Sequence, residues 1–493
     1  MQGLFQDLRY ALRKLAKSPG FAIAAVLTLA IGIGANTAVF SIMDAVVFRP
    51  LAVPDLNHVV TVYELQNRGD YRQVALGNFA DWQRQSSSIE EMAIRSPADL
   101  SLTGAGDAAH VQAEFTSPAF FSVMRANAFL GRIFSQNEMQ PGRDNVAVLS
   151  YGFWKSHFAS DVGVLGRKIE LDQHAFTVIG VMPKTMQFPS TADLYLPFVP
   201  ADALLDNRSA HDYLVIGRLN HGVSTKQAQA EMDIIAEHLS EQYPATNQGW
   251  SVKVEPLLDD INGNLTPLYF SLVLGASGFV LLVVCANVAY LQLARGIARR
   301  PEIAMRTALG ASRGRLLRQL LTENILLALV GAAAGLLFAK LYMHFCVISM
   351  PERVARYMAG WSNISLNGRA LALSMFLALG AGVISGFAPA LGAMRVNLVD
   401  QLKAGSRAIT GASRNRWLRN AFTGAQIALA VALVVGAALM SKGMIAMTHS
   451  ADRYGPSQML TFTIHLPPRV TTPRKNWPHG TYRAWRNCMR FLA

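Results

Sequence analysis

The chain has 493 residues, 51% of them hydrophobic and only 16% charged, with a mean hydropathy of +0.24. Soluble domains carry nearer a quarter charged residues, and here the apolar residues gather in long blocks. The net charge of +13 does not point to nucleic acid, because Arg and Lys cluster beside those blocks instead of interleaving with aromatics on one surface. The cysteines give neither a disulfide framework nor metal-ligand spacing: Cys285 and Cys346 lie in or beside apolar runs, where a small buried hydrophobe is expected, and Cys488 lies in the tail.

In chain order, residues 1–20 are amphipathic and basic, with Arg9, Arg13, Lys14 and Lys17 ahead of the first apolar block. That block, 21–47, exceeds the roughly 7–15 residues of a signal-peptide core and reads as a first membrane helix. Four more segments, 268–294, 322–343, 369–391 and 421–446, reach the roughly 20 residues that a span needs. Seven arginines against Glu302 mark 295–321, and six Arg or Lys against Asp400 mark 392–420. The loop 344–368 offers only Arg353 and Arg356, with Glu352. Positive flanks belong to the cytoplasm, so the N-terminus is expected inside, with 48–267 and the tail 447–493 outside.

Residues 48–267 mix strand and helix patterns. Asn145 to Leu149, His174 to Met182 and Tyr213 to Leu219 are runs rich in β-branched or aromatic residues bounded by turn residues. From Ser224, a plausible N-cap, to Tyr243 the positions of Ala228, Met232, Ile235, Ala236 and Leu239 share one helical face. The expected fold is a multi-pass α-helical membrane protein with a large α+β extracytoplasmic domain. Gly331 with Gly335, and Gly382 with Gly386, form GxxxG pairs that let membrane helices approach closely. Apart from Asp44 and Lys340 near the outer ends, the spans read as free of deep charges, which argues against an ion-coupled transporter.

Catalytic signatures are missing. There is no phosphate-binding GxxxxGK[ST] and no HExxH, and no catalytic, cofactor-binding or metal residue is assigned. His110 and Glu114 have helical i,i+4 spacing but no third ligand, and Glu90-Glu91 reads as a solvated helix face. The most informative run is Arg299 to Ser312. Pro301 suits a first helical position, Glu302 the first turn, Gly310 the helix end and Ser312 the next cap. Such a short amphipathic helix either docks a partner or rests on lipid headgroups.

Glu302-Ile303-Ala304-Met305-Arg306-Thr307-Ala308-Leu309-Gly310-Ala311 closely resembles the cytoplasmic signature of FtsX/MacB-type ABC transporter permeases. Gly131 to Phe134, Val146 to Tyr151 with Phe153-Trp154, Gly166-Arg167 and Val178 to Pro183 resemble the MacB-like periplasmic core domain in the same order. Asp7 to Arg13 with Pro19-Gly20-Phe21 resembles the duplicated orphan permease branch named from acidobacteria. Arg416 to Ala421 introduces the span at 421–446 much as Arg9 to Lys14 introduces the first, and Gly455 to Thr461 resembles the opening of a second periplasmic domain. After about Arg469 the pattern stops, and a truncated second repeat is the expected explanation.

The resemblance implies a permease in the bacterial inner membrane that couples a separate cytoplasmic ABC ATPase to movements of its periplasmic domain, for export or efflux. Glu302, Ile303, Arg306, Leu309 and Gly310 would dock that ATPase. Members act as dimers or fused pseudo-dimers, so the implied partners also include the bilayer and a second permease half. The alternatives are an FtsX-like scaffold that regulates a periplasmic partner without transport, or a non-functional fragment.

Overall fold

A computed structural model describes residues 18–66, 70–104, 108–200, 204–263, 265–298, 313–351, 358–394 and 412–452, with Arg9, Arg13, Leu15, Met305 and Ala355 besides. Eight helices matter here. They are α1 (Pro19–Met43), α2 (Leu76–Gln85), α3 (Thr225–Gln242), α4 (Leu257–Asn262), α5 (Thr266–Ala298), α6 (Arg313–Ser349), α7 (Gly368–Met394) and α8 (Ala412–Asp452). Five stretches are long and apolar enough to cross a membrane: Pro19–Phe48, Thr266–Gln292, Leu317–Ser349, Gly368–Gly386 and Gln426–Gly443. Pro19 opens α1 where its missing N–H costs nothing. The helix α6 begins nine residues ahead of the apolar run expected at 322, because Arg313, Arg315 and Arg318 are good helix formers and continue the backbone ladder. Within α8, residues 427–452 belong to a separate unit, and there its large apolar side chains are exposed.

Between α1 and α5 lies a domain built on one mixed sheet. Its strands are β1 (Val59–Gln66), β2 (Asp70–Arg72), β3 (Val74–Ala75), β4 (Ile89–Thr103), β5 (Ala109–Thr116), β6 (Leu130–Gly131), β7 (Val146–Leu149), β8 (Lys168–Leu171), β9 (His174–Val181), β10 (Leu194–Pro197), β11 (His211–Leu219) and β12 (Trp250–Pro256). The main path runs β12-β1-β11-β4-β5-β10-β7-β9-β6. The strand β1 pairs antiparallel with β12 from Val60 opposite Pro256 to Gln66 opposite Trp250. Parallel pairs join β10 to β5 and β7 to β9.

Near β1, β11 and β12 the sheet is covered by α2 and α3, whose Trp82, Met232, Ile235 and Leu239 pack against Val62, Val215 and Val254. Ser224 caps α3 through a reciprocal capping box with Gln227. Further along, Leu149, Trp154, Ile169 and Val178 form a second core. Glu231 on α3 accepts from the amides of Ser87 and Ser88, at 2.7 and 2.8 Å, and from both hydroxyls. Burial opposes its ionisation, but these bonds outweigh burial and hold the carboxyl at about 2.

Several sequence expectations need correction. His110 and Glu114 lie on strand β5, not a helix. There they part company: exposed His110 meets Asp99 at 3.2 Å, and buried Glu114 meets Arg95 at 2.9 Å. Glu90 and Glu91 likewise belong to β4, because the β-branched and apolar residues around them pair with β11 and β5. Cys285 is buried, whereas Cys346 is only half-buried; Cys488 lies outside the described residues.

A candidate site where the helical bundle meets the sheet domain

The helices α1, α5, α6 and α7 share a core of Ala25, Leu29, Ile33, Val284, Val288, Leu327, Ala328, Ala378 and Ala381. Apolar contact alone gives little drive in lipid, so small residues and polar clasps decide the association. Gly34 and Gly335 bring α1 and α6 to backbone contact. A Cβ on Gly34 would lie 2.6 Å from the Gly335 carbonyl oxygen, and one on Gly335 would lie 2.9 Å from that of Ala30. Gly331 sits against Leu29, Gly382 against Ile325, and Gly386 against Asn324. Asn36 donates to the Ser277 carbonyl at 2.8 Å and accepts from the Ser277 hydroxyl at 3.0 Å, which clasps α1 to α5. Gln292 donates to Asn324 at 3.0 Å and joins α5 to α6. Beside Asn324, Glu323 is also buried. The sequence reading passed over this acid because it stands at the edge of the apolar run.

At its far end α1 widens into a π-helical turn, Asp44–Phe48, and the Arg49 amide bonds the Asp44 carbonyl at 2.9 Å. Single π turns are frequent at functional sites. The wider turn brings the Arg49 guanidinium back onto the Asp44 carboxylate, with Nε at 3.0 Å. Asp44 is 0% exposed and needs partners there. It also accepts from Asn367 Nδ2 at 2.6 Å and Arg369 at 3.2 Å, both at the head of α7. The Asn367 oxygen in turn caps the α7 amide of Ala370 at 2.9 Å. One carboxylate therefore holds α1, the chain leaving it and α7 together.

Three further bonds fasten the sheet domain to this knot. Asn262, the last residue of α4, donates to the Val47 carbonyl at 2.9 Å. Gln187 and Asn363 bond reciprocally at 3.2 and 3.4 Å, joining the sheet domain to the loop before α7. Gly360 in that loop has φ of +79° and lies so close to the Ala45 carbonyl that a Cβ would overlap it. Asp260 on α4 accepts from Tyr63 at 2.7 Å and Thr61 at 3.1 Å, tying α4 to β1. Burial and the Asp260 carboxylate both push the Tyr63 phenol well above its ordinary value. Beside the knot opens a recess of about 460 Å³, with Phe48, Arg49, Leu56, Leu258, Asn363 and Asn367 in its wall.

Of the residues expected to dock an ATPase, Glu302, Ile303, Arg306, Leu309 and Gly310 lie outside the described residues. Met305, between Ile303 and Arg306 in sequence, is helical and exposed. At this same end of the bundle the Arg295 guanidinium lies 3.8 Å from the ring centre of Phe21, linking the end of α5 to the start of α1. The clasp Asn36–Ser277 and the junction around Asp44 were not picked out from sequence. The available cue was a polar residue standing alone in an apolar run. Among the described residues no group of three or more His, Cys, Asp or Glu is placed to hold a metal.

A helical bundle clasped by small residues and carrying a large mixed-sheet domain between its first two spans defines a class: a multi-pass membrane permease with an extracytoplasmic domain. Two family models match, the MacB-like periplasmic core domain over residues 22–235 and the FtsX-like permease C-terminal over 274–398. The chain belongs to the FtsX/MacB-type ABC transporter permeases. It is 28% identical over 280 residues to the pyoverdine export ATP-binding/permease protein PvdT of Pseudomonas syringae, covering 55% of this chain and 40% of that one. It is 25% identical over 346 residues to the macrolide export ATP-binding/permease protein MacB of Bdellovibrio bacteriovorus, covering 69% and 51%. The chain thus spans about half or less of the length of these relatives. Among solved structures, the periplasmic region of MacB from Actinobacillus actinomycetemcomitans aligns at 15% identity with a TM-score of 0.33, covering 44% of this chain and 96% of that one.

Proposed function

We propose that the chain is the membrane subunit of an ABC-type export system in which a separate cytoplasmic ATPase drives the extracytoplasmic domain through the bundle. One observation carries the reading. Both membrane roots of that domain feed neighbouring strands, α1 through the Asp44 knot into β1 and α5 through α4 into β12, and those strands are paired along seven register positions. A tilt of α1 and α5 together therefore turns the sheet as one body. The N-terminus lies in the cytoplasm, as the basic flanks require, and the 299–312 segment receives the ATPase. In this role Glu302, Ile303, Arg306, Leu309 and Gly310 make the docking surface, and Arg295 on Phe21 passes the push from α5 to α1. The glycine seams keep α1, α6 and α7 from slipping as they move. The names of the relatives, which join an ATP-binding and a permease function for export in one protein, support the direction and the involvement of an ATPase.

The test is affinity purification of the full chain from its native membrane in mild detergent, with mass spectrometry of what accompanies it. An ATP-binding cassette subunit should co-purify and be lost in Gly310→Pro, whose proline breaks the docking helix end without touching the outer domain. ATPase stimulation unchanged by Gly310→Pro would refute the docking assignment. Recovery of the intact chain with no such subunit would favour a scaffold that works without ATP.

A further inference from the structure

We propose that the recess beside the Asp44 knot binds an anionic phospholipid drawn from the outer leaflet of the surrounding membrane. Its volume, about 460 Å³, falls within the roughly 300–1,000 Å³ of small-molecule sites. The wall is divided. Phe48, Leu56 and Leu258 make an apolar side, and Arg49, Asn363 and Asn367 make a polar one. No acid lines it.

Charge decides the headgroup. Two guanidiniums, those of Arg49 and Arg369, converge on the single carboxylate of Asp44. Their side chains are 47% and 62% exposed, while that of Asp44 is fully covered. The knot therefore carries one positive charge in excess, presented outward. Nearby Asp55 is paired with Arg125 at 2.7 Å, and Asp260, which keeps its charge, is turned to the Tyr63 and Thr61 hydroxyls on β1. Arg49 spends Nε and one Nη on Asp44, leaving the other Nη for a ligand oxygen. A phosphate diester suits it, because forked guanidinium donors match phosphate oxygens.

Position decides the body. The recess lies where the apolar stretch Pro19–Phe48 ends, and Phe48 itself is 46% exposed. Its apolar wall is thus continuous with the lipid-facing surface. A soluble anion would leave that wall wet, whereas a phospholipid covers it with acyl chain and supplies the phosphate at the same height. This inference holds whether or not an ATPase docks on the other side.

The experiment reconstitutes the full chain into vesicles of phosphatidylcholine with a minority of phosphatidylglycerol, extracts it in mild detergent, and counts retained lipid by native mass spectrometry. Wild type should keep about one phosphatidylglycerol per chain in preference to phosphatidylcholine. Leu56→Trp, which narrows the recess and leaves every bond to Asp44 intact, should retain at least tenfold less. Arg49→Gln should lose the headgroup preference; because it also removes a partner of Asp44, Leu56→Trp keeps the test independent of folding. Equal retention of the two lipids by wild type would overturn the proposal, as would undiminished retention by Leu56→Trp. Displacement of phosphatidylglycerol by inorganic phosphate alone would reassign the recess to a soluble anion and overturn the lipid assignment.

Discussion

The seam between α1 and α6 gives the sharpest quantitative expectation. Ordinary van der Waals contact for a Cβ begins at 3.4 Å, and a methyl on Gly34 would sit 2.6 Å from the Gly335 carbonyl oxygen and 2.9 Å from Phe338. Gly34→Ala is therefore short of room by about 0.8 Å against backbone that cannot swing away. The helices must part by a similar distance. A gap of about 0.5–1 Å forfeits a quarter to a half of each contact worth about 0.1–0.2 kcal/mol, so a few tens of atom pairs lose about 1–2 kcal/mol. Overpacking in well-packed cores typically costs about 1–3 kcal/mol, which agrees. Gly380 on α7 meets nothing within 4 Å, and Gly380→Ala should be neutral within about 0.5 kcal/mol. The double variant Gly34→Ala with Gly335→Ala should cost less than the sum of its parts, because one separation admits both methyls. Reversible unfolding in mixed detergent micelles reads all four. Equal midpoints for Gly34→Ala and Gly380→Ala would show that α1 and α6 do not meet at these glycines.

Three further outcomes follow from the same coordinates. Replacing both Arg49 and Arg369 by Gln strands the covered Asp44 charge with Asn367 alone and should cost about 3–5 kcal/mol, while adding Asp44→Asn should recover most of it; a triple variant no better than the double would refute the charge argument. Gly360→Ala places a side chain at φ of +79° and against the Ala45 carbonyl, for about 1–3 kcal/mol; hydrogen exchange over 358–368 should speed well ahead of the sheet domain, and uniform exchange would count against a local effect. Glu231 has its folded pKa at about 2, below the ordinary 4.5, so its contribution is whole above about pH 4.5 and is lost as pH falls through about 2. The gap in thermal stability between wild type and Glu231→Gln should close across that window, and a gap constant from pH 6 to 2 would exclude it.

The spans were legible because their signal is one of length and composition, which no tertiary contact can disguise. Helix α3 was legible for a different reason, its 3.6-residue apolar period and its Ser224 cap. His110 and Glu114 misled because i,i+4 spacing shares a face on a strand as well as on a helix, and Glu90 and Glu91 because an adjacent pair carries no period; only the pairing of β5 with β4, and of β4 with β11, decides. The Asp44 knot was illegible because its members are 44, 49, 367 and 369. Nothing local joins positions more than 300 residues apart; the backbone approach of α7 to the π turn does. The glycine pairs were visible as pairs, but their partners, Leu29, Ala30 and Gly34 on α1, depend on which helices adjoin. Glu323 escaped because hydropathy averaging dissolves a single acid at the rim of an apolar run.

The seven paired positions between β1 and β12 tie together the two helices from which the sheet domain hangs. Sliding α1 along α5 would shear the whole ladder at once, breaking its hydrogen bonds together, and a one-residue slip would turn every side chain to the wrong face of the sheet. Tilting or twisting the two helices as a pair breaks none of them. The two roots of the sheet domain are thereby bound to one another, so the sheet resists any motion that separates or slides them and follows only motions that α1 and α5 make together.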